Sequence, residues 1–117
     1  MAITQKENLK IPQGSTYSHT FHYRDKTTGA IIDLTGYTGR MEIRASVDDA
    51  VVLYDSTIFG DITINGSQGD VILEIPSSVT KAWTWLNAVY DLEIVSGSSK
   101  VTRLVMGTVV ISREVTR

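Results

Sequence analysis

Between residues 15 and 24 every second side chain is a ring. Tyr17, His19, Phe21 and Tyr23 fall on one side of an extended chain, and Thr16, Ser18, Thr20 and His22 on the other, because successive strand side chains point to opposite faces. This period of two recurs along the sequence and restricts the fold more than any other feature. Residues 38–45 place Met41, Ile43 and Ala45 inward and Arg40, Glu42 and Arg44 outward. Residues 70–75 place Val71, Leu73 and Ile75 inward, and residues 88–95 place Tyr90, Leu92 and Ile94 inward with Asp91 and Glu93 outward. Strands of this kind bury one face and wet the other, as antiparallel sheets do. The residue supply agrees: 12 Val, 12 Ile and 14 Thr make 38 of the 117 residues β-branched, stiff at χ1 and suited to a pleated surface.

Further extended segments are expected at residues 3–11, 31–34, 51–54, 57–64, 100–106 and 108–115. In residues 57–64 the spacing sets Ile58, Ile62 and Ile64 on one face. Gly107, between the last two segments, permits a bend or a close backbone approach. Turn residues separate the strands at Gln13-Gly14, at 25–30, at Thr35-Gly36, at 46–49 and at Ser96-Gly97-Ser98-Ser99. The strongest turn signal is Asn65-Gly66-Ser67-Gln68-Gly69, since Asn-Gly tolerates positive φ. Its Asn65-Gly66-Ser67 also spells a glycosylation sequon, but with no signal peptide ahead of it the hairpin turn is its reading. Pro12 and Pro76 mark strand ends, and Ser77 or Ser78 is placed to cap a helical turn reaching Trp83. Strands about every ten residues, with no βαβ rhythm, predict an all-β fold: an antiparallel β-sandwich, immunoglobulin-like or jelly-roll-like, with seven to nine strands and one short helical turn. The length gives one domain, residues 11–117, with residues 1–10 as an N-terminal arm or first strand.

The chemical inventory is sparse. There is no cysteine, which removes disulfides, Fe–S clusters, thiol nucleophiles and thiolate zinc sites together. No phosphate-binding glycine loop, nucleophile elbow or zincin motif occurs. His19 and His22 lie three apart on a strand and point to opposite faces, so they are expected as a hydrogen-bonded core histidine and an exposed one. Asp48, Asp49 and Asp55, and Asp61 with Asp70, fall short of the six to eight oxygens a calcium loop collects. Asp91 and Glu93 are expected to pair across strands with Arg103 and Arg113. No catalytic residue, cofactor site or metal site is expected, and the chain is read as a non-enzyme. With 11 basic and 13 acidic residues, net charge −2, it lacks the excess of base that coats nucleic acid. No apolar stretch approaches 18 residues, and residues 1–10 have no apolar signal-peptide core, so no membrane partner is expected.

Two groups of residues could meet a partner. Trp83 and Trp85, two apart, could stack on sugar rings or join a protein interface, or a Trp on the helical turn could plug the open end of the sandwich. Val52, Phe59 and Ile72 break the alternation by placing apolar side chains on polar faces, where together they could form a contact patch.

Three stretches carry a resemblance. Ile11-Pro12-Gln13-Gly14-Ser15-Thr16-Tyr17 resembles an I-x-x-G-x-T-F opening, and Ile32-Asp33-Leu34-Thr35-Gly36-Tyr37-Thr38-Gly39-Arg40-Met41-Glu42-Ile43-Arg44 almost completes an I-D-L-T-G-Y-T-x-R-M-x-I-R motif. Residues 90–94, 101–107 and 115–117 are similar to the C-terminal half of the same proteins. These are small β-sandwich structural proteins of tailed bacteriophages, modules of baseplate, neck and decoration, including the N-terminal domain of lactococcal phage baseplate upper proteins. The resemblance implies a structural virion protein, assembled in the host bacterial cytoplasm. It would act by contacts with other virion proteins in the capsid decoration, collar or neck, or tail and baseplate, as a homo-oligomer or in repeated copies. A chain ending at Arg117, just past its last strand, is expected to be the whole module, which favours a decoration, collar or adaptor role. The alternative, carried by Trp83 and Trp85, is a carbohydrate-binding β-sandwich module that attaches to a host surface. In the motif itself, Leu34 is expected to dip into the core and Tyr37 to cover the sheet edge.

Overall fold

A computed structural model describes residues 5–115 and shows an all-β sandwich of two sheets. Among the described residues nine strands run in chain order: β1 (Gln5–Lys6), β2 (Leu9–Pro12), β3 (Tyr17–His22), β4 (Thr38–Arg44), β5 (Val52–Asp55), β6 (Ile62–Asn65), β7 (Asp70–Ile75), β8 (Asn87–Val95) and β9 (Val101–Ser112). Two short helices interrupt them, α1 (Ser56–Phe59) and α2 (Ser77–Lys81), with a 3-10 turn at Gly66–Gln68, so helical turns exceed the one expected. The larger sheet has the order β1/β2–β9–β8–β4–β5, and the smaller is β3–β7–β6. The sandwich is not purely antiparallel. β1 and β2 both pair with β9 in parallel, because the first and last strands of the chain enter the sheet side by side in the same direction.

The period-two alternation places the core as expected. Tyr90, Leu92 and Ile94 of β8, Met41 and Ile43 of β4, and Val71, Leu73 and Ile75 of β7 are all buried, as is Phe21 of β3. Leu9 and Ile11 of β2 join the same core. The division at residue 10 therefore falls inside a strand, and the N-terminal segment is part of the sandwich from residue 5 onward; residues 1–4, including the expected start at Ile3, lie outside the described residues. Ala45, expected inward, lies beyond the end of β4 and is exposed.

β9 is one continuous strand of 12 residues that runs through Gly107 without breaking. Its phase changes at Leu104 instead. Leu92 pairs with Val105 and Glu93 with Arg103, so Leu104 is an extra residue, a β-bulge. Leu104 and Val105 are consequently both buried, and from there the odd-numbered residues Val109 and Ile111 face inward. Gly107 serves the close approach. A Cβ there would collide with the carbonyl of Glu7, which sits in the break between β1 and β2 and accepts a 2.6 Å hydrogen bond from the Tyr90 hydroxyl. Burial, and next the charge of Glu7, push that phenol's pKa up, so it stays a donor. Asn8 Oδ1 accepts from the Thr108 N–H at 3.1 Å, standing in for the missing strand carbonyl.

Residues 57–64 are not one strand. Asp55 Oδ1 accepts from the Thr57 N–H and caps α1, and Gly60 closes it in the left-handed region. This short helix turns Ile58 outward at 75% exposure. In the β6–β7 turn the positive φ belongs to Gly69 rather than to Asn65-Gly66, whose segment forms the 3-10 turn. α2 is capped at Pro76 without a side-chain bond, so neither Ser77 nor Ser78 caps it. Buried Thr80 Oγ1 receives the Gly14 N–H at 3.1 Å and donates to the Ser15 carbonyl at 2.8 Å. That fastens α2 to the β2–β3 turn and satisfies groups that burial would otherwise penalise.

Leu92→Ala, at the centre of the core, is expected to lower the unfolding free energy by about 2–5 kcal/mol. Val110→Ala, on the outer face of β9, is expected to cost less than about 1 kcal/mol. Denaturant unfolding of the two variants beside the parent chain checks the contrast.

Candidate interaction surface

The outer face of the larger sheet is a shallow trough of about 720 Å³. Strand register arranges its side chains in rows. One row runs Asp55, Glu42, Asp91, Met106, Lys6 across five strands. The next holds Arg40, Glu93 and Arg103, and on the other side lie Arg44, Val89 and Thr108. Arg40 Nε donates to Glu93 Oε1 at 2.8 Å, and Arg44 Nη2 donates to Glu42 Oε1 at 2.7 Å. Arg44 also reaches the Asp49 carbonyl at 2.7 Å. The expected cross-strand pairing holds for Glu93, whose neighbours are Arg40 and Arg103. Arg113 lies past the end of β9 and borders a different pocket. Partial burial, then the like charge of Glu93 and of Glu42, raise the Asp91 carboxyl, with Arg103 and Arg44 opposing.

Several other acids are hydrogen-bonded to nearby donors. Asp61 Oδ2 accepts from the Tyr54 hydroxyl at 2.6 Å, and Asp49 Oδ1 from the Val51 N–H at 2.9 Å. Asp70 accepts from His22 at 2.7 Å and from Arg24 at 3.3 Å. The His22 hydrogen bond is the main cause that holds its carboxyl below the usual range. Among the described residues no group of three or more His, Asp or Glu side chains is placed to hold a metal ion. His19 is hydrogen-bonded as expected, its Nε2 lying 3.0 Å from Glu7 Oε1. It is half-buried rather than a core residue, stacked on Tyr17 and edge-on to Phe21.

The tryptophans sit below α2. Trp83 is 7% exposed, edge-on to Tyr54 and 4.9 Å from Trp85 between ring centroids. It plugs the sandwich instead of offering a ring face to a partner. Trp85 is half-buried beside a pocket of about 110 Å³ bordered by Gln13, Leu86, Ile111 and Arg113. Ile72 is half-buried on the outer face of the smaller sheet, between Thr20 and Thr63. Neither it nor the tryptophans share an element with Val52 and Phe59.

Val52 and Phe59 lie on consecutive elements. They lie at the β5 edge of the larger sheet and on α1, 37% and 52% exposed, and the Phe59 ring stacks on Tyr54. The same edge carries three residues that the alternation did not single out for contact: Val47, Val51 and Ile58, 82%, 64% and 75% exposed. Five of the eleven large apolar side chains exposed among the described residues thus fall within residues 47–59. The legible signal was the Asp55-Ser-Thr cap followed by Gly60, which marks a helical turn and so frees Ile58 from the inward face.

No protein-family model matches the chain, and no curated protein matches it at a significant level.

Asp91 sets a pH dependence. Its folded pKa is raised, so between the ordinary aspartate range and the raised value the folded state binds more protons than the unfolded one, and stability falls as pH rises through that window. Asp91→Asn is therefore expected to raise the melting temperature at pH 7, with the gain shrinking as pH drops below the window. Thermal scans of both chains over a pH series measure it; an unchanged or lower melting temperature at pH 7 contradicts the assignment.

Proposed function

We propose that the chain is a structural virion protein of a tailed bacteriophage. In this reading it acts by protein–protein contact in the capsid decoration, collar or neck, or tail and baseplate, without cofactor, nucleic acid or membrane. It is assembled into the particle in the host bacterial cytoplasm. The observation that carries the reading is the exposed apolar edge at residues 47–59. A run of exposed large apolar side chains in one short stretch of chain is a candidate contact surface for a partner. The residues of the phage-like motif give secondary support through their work in the fold. Leu34 is fully buried, the Tyr37 N–H returns to the Leu34 carbonyl at 3.0 Å, and the segment delivers the chain into β4, between β8 and the edge strand β5.

The carbohydrate-binding alternative draws less support. Its stacking platform needs two accessible rings, and the Trp83 ring is taken up by Tyr54 and Trp85.

The test is reconstitution. Purified chain is mixed with phage particles whose copy of the coding sequence has been deleted, and bound protein is counted after sedimentation. Saturable binding at a fixed number of copies per particle, visible as added density on the particle surface, is the expected result. Absence of binding to particles at every stage of assembly, with retention on a glycan array, would replace this reading with the carbohydrate one.

A further inference from the structure

We infer that the pocket beside Trp85 takes the carboxylate of an Asp or Glu side chain from a partner protein, held by Arg113 and by the Trp85 indole N–H. This contact deepens the proposed structural role and rests on it, by naming the chemistry of one partner group.

The pocket lies at the end of the sandwich where β2 leaves the larger sheet, β8 enters it and β9 ends. Most of its polar wall is already committed. Gln13 Nε2 donates to the Trp83 carbonyl at 2.9 Å, and Gln13 Oε1 accepts from the Glu114 N–H at 3.0 Å. The Leu86 carbonyl accepts from the Ile111 N–H at 2.9 Å. These bonds tie the exit of β2, the approach to β8 and the end of β9 together, so the walls are fixed before anything enters.

Two polar groups remain, and both are donors. Trp85 Nε1 is the one buried side-chain nitrogen or oxygen among the described residues with no hydrogen-bond partner. An indole N–H only donates, and a buried one normally finds an acceptor. Arg113 is exposed and pairs with no carboxylate among the described residues. No Asp or Glu borders the pocket. The adjacent acid, Glu114, is directed to Gly14 instead, where an added Cβ would collide with its carboxylate. Both remaining groups therefore call for an acceptor, and the Arg113 charge selects an anionic one. A guanidinium fork matches a carboxylate with two parallel hydrogen bonds.

Size narrows the source. At about 110 Å³ the pocket holds about four water volumes of roughly 30 Å³ each. Sites that enclose a whole small molecule run to about 300–1,000 Å³. The room suits the head of one side chain, and Leu86, 44% exposed at the rim, offers apolar surface to the chain that carries it.

The test is proton–nitrogen correlation NMR on the nitrogen-15-labelled chain. The sequence has two tryptophans, and Trp85→Phe identifies which indole signal is which. The chain is titrated at fixed pH and ionic strength with the peptide acetyl-Gly-Glu-Gly-amide, beside acetyl-Gly-Gln-Gly-amide and inorganic phosphate. The Glu peptide is expected to move the Trp85 indole signal saturably, and the Gln peptide to leave it in place. Arg113→Gln is expected to weaken the Glu response by about tenfold or more, the scale of one charge-assisted hydrogen bond. Arg113→Lys, which keeps the charge but loses the fork, falls between. Arg113 is exposed and past the end of β9, and circular dichroism checks that both variants fold. An unmoved indole signal, an equal response to the Gln peptide, a stronger response to phosphate, or an unchanged affinity in Arg113→Gln would each overturn the inference. Phage particles that bind Arg113→Gln as well as the parent would also overturn it, while leaving the structural role standing. A pocket that takes the Glu peptide in a chain that binds no particle would support the carboxylate site and remove the structural role.

Discussion

One extra residue in the last strand decides how the larger sheet meets the core. β8 and β9 form the longest ladder of the molecule, and Leu104 is inserted into it without a partner of its own. Without a bulge, a strand of 12 residues keeps one phase. Either Leu104 or the set Val105, Val109 and Ile111 would then have to face water. The bulge lets both face inward, at the cost of one unpaired ladder position. Full burial of each of these side chains contributes about 1.5–3 kcal/mol, more than a single net hydrogen bond at about 0.5–1.5 kcal/mol, so the bulge is favoured.

The N-terminal strand depends on the register that this arrangement fixes. β1 and β2 read the far half of β9, from Val105 to Ser112, where the phase has already switched. Their break at Glu7 and Asn8 falls opposite Gly107 and Thr108, and three groups close it: the missing Cβ of Gly107, the Tyr90 hydroxyl and the Asn8 side chain. The same segment joins the two sheets, since Glu7 also reaches His19 on β3. On the opposite side the Tyr54–Asp61 hydrogen bond joins the β5 edge to the approach of β6. The Glu7–His19 and Tyr54–Asp61 contacts thus tie the sandwich together along both open sides.

The candidate surface was legible only in part. Val52 and Phe59 stood out because they broke the alternation, and they do lie on one exposed edge. Ile58 was hidden, because its spacing from Ile62 and Ile64 imitates a strand face, while the Asp55 cap and Gly60 turn the chain instead. For Trp83 and Trp85 the sequence left sugar stacking, a protein interface and a plug at the open end of the sandwich all open, and the structure fits the plug for Trp83. Nothing local to them reveals that Tyr54, nearly thirty residues earlier, packs edge-on against Trp83.

The sequence by itself determined the all-β class, the inward faces of β3, β4, β7 and β8, and the placing of most turns. Side-chain alternation is a local property of an extended chain, so it can be read wherever both faces differ in polarity. Tertiary structure alone decided that β1 and β2 run parallel to β9, that β9 bulges at Leu104 rather than bending at Gly107, and which strands become edges. Each of these depends on a partner far along the chain: Gln5 meets Val105, and Asn8 meets Thr108.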